Sequence, residues 1–181
     1  MTARDESSVD EVGRPIPPSD AGEASTLIGF LEYQRATFRW KSGNLDDAAL
    51  DISVGASSLT LGGMLKHLAI VEDWWFSQWV AGNPPSEDWE DDEADPDWDF
   101  RTARNETGVQ LRARWESLVD QSRRVLADAL RNGDLGQLCK REEDGRSPNL
   151  RWVVVHMIEE YARHNGHADL IRESIDGEVG E

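Results

Sequence analysis

A single cysteine in 181 residues leaves no partner for an internal disulfide, so packing or a bound ion must hold this chain together. Cys139 sits in the polar segment QLCKREED without the histidine or asparagine signature of a thiol nucleophile, and a bland surface or loop position is expected for it. No stretch approaches the roughly 20 uninterrupted apolar residues of a membrane-spanning helix. The amino terminus, MTARDESSVDEVGRP, lacks the basic and then apolar order of a signal peptide. A cytoplasmic location away from membranes is the expectation. Basic residues are also scarce, 19 against 36 acidic ones, and the formal charge of -17 would repel a phosphate backbone or an anionic lipid surface. Neither nucleic acid nor a membrane is expected as a partner.

What the chain does have is tryptophan, eight residues of it. Several fall in helical patterns as large core fillers. Trp89 and Trp98 instead lie in the acidic run SEDWEDDEADPDWDF, which reads as a solvated loop whose paired aromatics could fold back over a cavity or a partner subunit. The tryptophan excess points to a homodimer.

The length suits one domain with tails. Residues 1–22 are rich in Asp, Glu, Ser, Pro and Gly and read as a flexible arm, 23–177 as the folded unit and 178–181 as a tail. Leu27, Phe30, Leu31, Gln34, Phe38 and Lys41 recur at three- and four-residue intervals, predicting a first helix over 23–42 that stops at Gly43-Asn44. A second helix is predicted from about Thr60 to Gly82, with Leu61, Met64, Leu65, Leu68, Val71, Trp75 and Trp79 as its apolar face. A third, over about 102–132, carries Val109, Leu111, Trp115, Leu118, Val125, Leu126 and Leu130 and closes at Asn132-Gly133. Ser147-Pro148 reads as an N-cap and first helical proline for a fourth helix running to about Ser174. Four amphipathic helices without an alternating strand pattern predict an all-α four-helix bundle with long inter-helix connections.

The fourth helix carries the chemistry. At about 100° per residue, His156, Glu160, His164 and His167 fall within an arc of roughly 80°, shared with Val153 and Ile171. A polar stripe so bracketed points inward, where a carboxylate and imidazoles require mutual pairing or a cation. Glu160 and His164, four residues apart, can reach one ion. His67 on the second helix lies in an apolar turn beside Met64, Ile70, Val71 and Trp74. It is either a third ligand or a core histidine bonded to a carbonyl or to Glu160. Two imidazoles and one carboxylate would leave coordination positions open, as a reactive site requires. Zinc is the first choice of metal, with nickel or iron(II) accepting the same donors.

The segments FLEYQRATFRWKSGNL, LTLGGMLKHLAIVEDWWF and HMIEEYARHNGHADLIRE resemble the DinB/YfiT-like metal-dependent bundles, most closely the actinobacterial branch related to mycothiol-dependent enzymes, over residues from about 25 to 177. In that family a histidine of the second helix and a pair spaced by four in the last helix hold the metal. The resemblance implies that His67, Glu160 and His164 do so here, an arrangement similar to that of the mycothiol-dependent maleylpyruvate isomerases. It implies that His167, where glutamine is common, supports a ligand or replaces one, and that His156 orients or packs. The isomerases carry an additional carboxyl-terminal domain without a counterpart in these residues, so an S-transferase-like bundle is implied instead. In it, a low-molecular-weight thiol such as mycothiol attacks an electrophilic substrate at the metal. Arg35 and Arg39 are candidates for binding carboxylates of thiol or substrate. Two other readings of the same stripe are a non-catalytic divalent-metal-binding module and a structural, dimer-forming bundle.

Overall fold

Leu31, Arg35 and Phe38 lie on one row of the first helix, and all three are almost completely buried in the computed structural model, which describes residues 8–85, 95 and 97–180. This helix, α1, spans Glu23–Ser42. Asn44, at φ 56°, takes the left-handed conformation that turns the chain away. A short helix, α2 (Asp47–Leu50), is capped by the Asp46 carboxylate, which accepts from Ala49 N.

The second predicted helix begins as expected. Thr60 accepts from Gly63 N as N-cap, and α3 (Leu61–Glu72) follows. Its continuation, Asp73–Val80, widens into a π-helix, with Ala81 N donating to Phe76 O five residues back. Such a bulge is rare and changes which side chains face the core. Here Asp73, Phe76, Ser77, Gln78, Trp79 and Val80 are all buried, and Gln78 Nε2 donates to Asp73 Oδ2 at 3.0 Å.

The third predicted helix starts later than the periodicity suggests. Thr107 and Gln110 form a reciprocal capping box that opens α5 (Gly108–Asn132). The residues before it form a separate short helix, α4 (Trp98–Thr102), and a 3₁₀ turn, Ala103–Asn105. Val109, placed on the apolar face from sequence, is 72% exposed, because at about 100° per residue it stands roughly 200° round the helix from buried Leu111. The fourth helix, α6 (Leu150–Asp176), is capped by Asn149, whose side chain accepts from Trp152 N, and not by Ser147. Ser147 Oγ instead donates to Cys139 O at 2.9 Å, tying down the preceding loop. Cys139 lies in that loop as expected, but buried, and burial pushes its thiol up to about 11.

The four long helices make the expected all-α bundle, with no strand among the described residues. α1 packs mainly on α6, and α3 on α5. At the centre, Phe38 meets Trp115 and Tyr161 edge-on, with ring centroids 5.4 and 6.3 Å away. No described helix is long and apolar enough to cross a membrane.

The core also contains a polar chain that joins all four long helices. Trp115 Nε1 donates to Tyr161 Oη at 2.9 Å, and Tyr161 Oη donates to Glu72 Oε1 at 2.7 Å. Arg35 grips both oxygens of Glu72 at 2.8 and 2.6 Å and reaches Glu32 at 2.7 Å. Glu32 in turn accepts from Arg123 of α5 at 3.0 and 2.5 Å. Burial and the neighbouring Glu72 carboxylate hold the Tyr161 hydroxyl well above its ordinary range, so it stays a donor.

Candidate metal centre

Antiparallel packing of α3 and α6 sets the register of their side chains. His67 on α3 meets Glu160 and His164, one turn apart on α6. His67 Nε2 lies 3.1 Å from Glu160 Oε1, and His164 Nε2 lies 3.2 Å from the same oxygen. One donor atom from each of the three residues lies within 4.8 Å of the other two. His164 is buried, while His67 and Glu160 are half-buried, so the group borders solvent on one side.

His67 Nδ1 faces Asp99 Oδ2 of α4 at 2.7 Å. Nδ1 must donate there, because a carboxylate only accepts. A neutral His67 would then aim its Nε2 lone pair at the Glu160 oxygen, a repulsive arrangement unless a positive centre lies between them. A proton or a metal cation meets that need. In the cation-free protein, burial pulls His67 toward neutrality, but the hydrogen bonds to Asp99 and Glu160 outweigh it and push the imidazole up to about 9. Hydrogen bonds from His164 and His67 hold the Glu160 carboxyl far below its usual range, against the opposing effect of burial. Two imidazole nitrogens and one ionised carboxylate, converged from two rigid helices, are a donor set that fits a divalent cation.

The remaining site is built by α4. Phe100 stacks on the His67 ring at 4.7 Å and 24°, covering one face of it. Gly63 permits this approach, since a Cβ there would stand 2.9 Å from Phe100 Cδ1 and 3.3 Å from its Cα. Lys66 fastens the segment down. Its Nζ donates to Thr102 Oγ1 at 2.8 Å, pairs with Glu106 at 3.0 Å and lies 4.3 Å from the Trp98 ring centroid. The end of the acidic run is therefore part of the site's wall and not a solvated loop. Trp89, the other aromatic of that run, lies outside the described residues. The interleaving of Trp98 and Phe100 with acidic residues was the available sign that this end of the run packs.

The other sequence candidates stand elsewhere. His167 is beside His164, ring centroids 5.7 Å apart, but is not in the convergent group of three. Burial, together with the electrostatic influence of neighbouring His164 and Arg163, lowers its pKa. His156 packs between Trp152 and Trp75. Arg35 is 1% exposed, its guanidinium engaged by Glu72 and Glu32. Arg39 is exposed and pairs with Glu116 at 3.1 Å. No hydrogen bond or ion pair joins either arginine to His67, Glu160 or His164 among the described residues.

The family model described as mycothiol-S-transferase matches residues 26–177. A comparison with curated proteins gives no match.

Proposed function

Because the chain belongs to the mycothiol-S-transferase family, we propose that it is a metal-dependent thiol S-transferase whose cation is held by His67, Glu160 and His164. The thiol is a low-molecular-weight one such as mycothiol, and the second substrate is an electrophile. The observation that carries this reading is the convergence of three donor atoms within 4.8 Å at the solvent edge of the bundle. Zinc is the preferred ion for two nitrogens and one oxygen, with nickel or iron(II) as alternatives. A bound divalent cation would supply Lewis acidity, lowering the pKa of a thiol at the open coordination position.

The protein's own residues supply orientation and exclusion of water. Asp99 holds the Nδ1 proton of His67, which leaves Nε2 as the donor atom and fixes the plane of the ring. Phe100 keeps solvent from one face of that ring. Glu160, as a carboxylate, offsets part of the cation's charge, and α6 holds it in register with His164. Cys139 is unsuited to the role of nucleophile, being buried in a separate loop with its thiol pushed up to about 11.

Elemental analysis of the purified protein, combined with an assay of thiol-dependent consumption of an electrophile before and after chelation, tests the reading. About one equivalent of a divalent metal and chelator-sensitive turnover are expected. Bound metal without turnover would reduce the protein to a metal-binding module, and absence of both would leave a structural bundle.

The Asp99 contact yields a finer test. Asp99→Asn keeps the size of the side chain but removes the ionised acceptor, and metal affinity should fall by about 10- to 100-fold, the range found for outer partners of ligating histidines. Competition with a chromophoric chelator measures it. An unchanged affinity would show that Asp99 does not orient His67.

A further inference from the structure

Three aromatic rings, Trp75 on the π-helical continuation of α3 and Trp152 and His156 on α6, take no part in the metal centre. The Trp75 ring lies 5.1 Å from that of Trp152 and 4.9 Å from that of His156, and Trp152 stacks on His156 at 5.0 Å and 17°. Trp152 is 50% exposed, while Trp75 and His156 are half-buried. Scattered surface aromatics are ordinary, but three in mutual contact, each at least partly exposed, form a patch that costs solubility.

The position of this patch gives it meaning. The metal rung joins residue 67 to 160 and 164, and the aromatic rung joins 75 to 152 and 156. Moving eight residues up α3 into its π-helical continuation corresponds to moving eight residues down α6, so both rungs lie on one antiparallel seam, about two turns or ~12 Å apart along α6. Half-buried Val71 occupies the turn between them.

We propose that Trp75, Trp152 and His156 form a shelf that binds the planar aromatic portion of the electrophilic substrate; this rests on the S-transferase reading above. An electrophilic carbon must come within about 3–3.5 Å of its nucleophile to react. With the thiol at the metal rung, roughly 8–9 Å of seam remains before the shelf, by the helical rise, which is the span of an aromatic ring on a short arm. The ring faces select a flat, apolar or electron-poor group, since stacking is favoured by offset and edge-on contacts with indole. The charge of -17 and Glu159, 49% exposed at its side chain beside His156, select against an anion. The substrate class is thus a neutral or cationic aryl or arylalkyl electrophile. In the transfer, the thiol sulfur's electron pair forms the new S–C bond. The C–X pair departs with the leaving group as its anion, and the thiol proton passes to solvent.

The test uses the purified full chain and two independent readouts. Binding of 2-naphthol, which is planar and not electrophilic, is measured by calorimetry on wild type, Trp152→Ala and Trp152→Phe. The wild type should bind it, Trp152→Ala about tenfold more weakly, and Trp152→Phe, which keeps a ring, close to wild type. With a low-molecular-weight thiol, the ratio of kcat/KM for 4-nitrobenzyl chloride to that for chloroacetamide should fall about tenfold in Trp152→Ala. Equal naphthol binding by wild type and Trp152→Ala, or none by wild type, overturns the shelf whether or not thiol is consumed. A dimer that Trp152→Ala converts to monomer, without naphthol binding, overturns it in favour of an interface between two copies. Failure of turnover with both electrophiles overturns the S-transferase reading and, with it, the shelf's role in substrate binding.

Discussion

Replacing His164 with alanine should yield a folded, helical protein that no longer retains stoichiometric metal and no longer consumes electrophile with thiol. His164 Nε2 and His67 Nε2 approach the same oxygen of Glu160 at 3.2 and 3.1 Å, so removing either imidazole leaves two donors where three converge. Losing an outer partner of a metal-bound histidine already costs about 10- to 100-fold in affinity, and losing the ligand itself should exceed that range. The fold should survive, because the bundle's packing rests on Phe38, Trp115, Tyr161 and the leucines of α3, none of which depends on His164. Elemental analysis and far-UV circular dichroism of the same sample separate the two effects. Retention of one equivalent of metal by a well-folded His164→Ala protein would remove this histidine from the ligand set.

A second large effect is expected at Glu72, away from the chemistry. Glu72→Ala should lower stability by about 3–5 kcal/mol, because it strands the Arg35 guanidinium, 1% exposed, without its bidentate partner. For a chain of this size that corresponds to a fall in Tm of about 6–20 °C. The same change removes the acceptor of the Tyr161 hydroxyl, a buried donor. The pair's two halves cost much when separated and little when removed together. The double variant Arg35→Met, Glu72→Leu should therefore unfold at a higher urea concentration than Glu72→Ala alone. A Glu72→Ala protein within about 1 kcal/mol of wild type in urea unfolding would show that the carboxylate contributes little to stability.

Much of the architecture was legible in the sequence because helical periodicity is local. The apolar rows of α1, α3 and α6 appear at three- and four-residue spacing, and Thr60 and Gly82 mark the limits of the second long helix without reference to the rest of the chain. Errors arose where capping competed with periodicity. The Thr107-Gln110 box moved the start of α5, and Asn149 took the cap assigned to Ser147, because each offered a side-chain acceptor at the right distance from unpaired N–H groups. The π-helix at Asp73–Val80 has no periodic sign, since its five-residue spacing blends into an α pattern over so few turns.

The candidate site divides in the same way. His67, Glu160 and His164 were legible because two share one helical face and the third stands out as a polar residue in an apolar turn. The surroundings of Arg35 were not legible, because an arginine at i+4 from Leu31 looks the same whether it reaches solvent or a buried carboxylate. Its partner, Glu72, lies 37 residues away on another helix. Asp99 was hidden in a run of acidic residues, and nothing local sets it apart.

By itself, the sequence determined four amphipathic helices, an acidic and nearly cysteine-free chain, and a histidine-glutamate stripe on the last helix, since each depends on neighbours within a turn or two. Only the tertiary structure decided that α3 and α6 run antiparallel with residue 67 opposite 160 and 164, that Asp99 reaches back to His67, and that Arg35 belongs to Glu72. Those pairings are made between residues 32 to 97 positions apart, and the packing of whole helices sets which side chains meet.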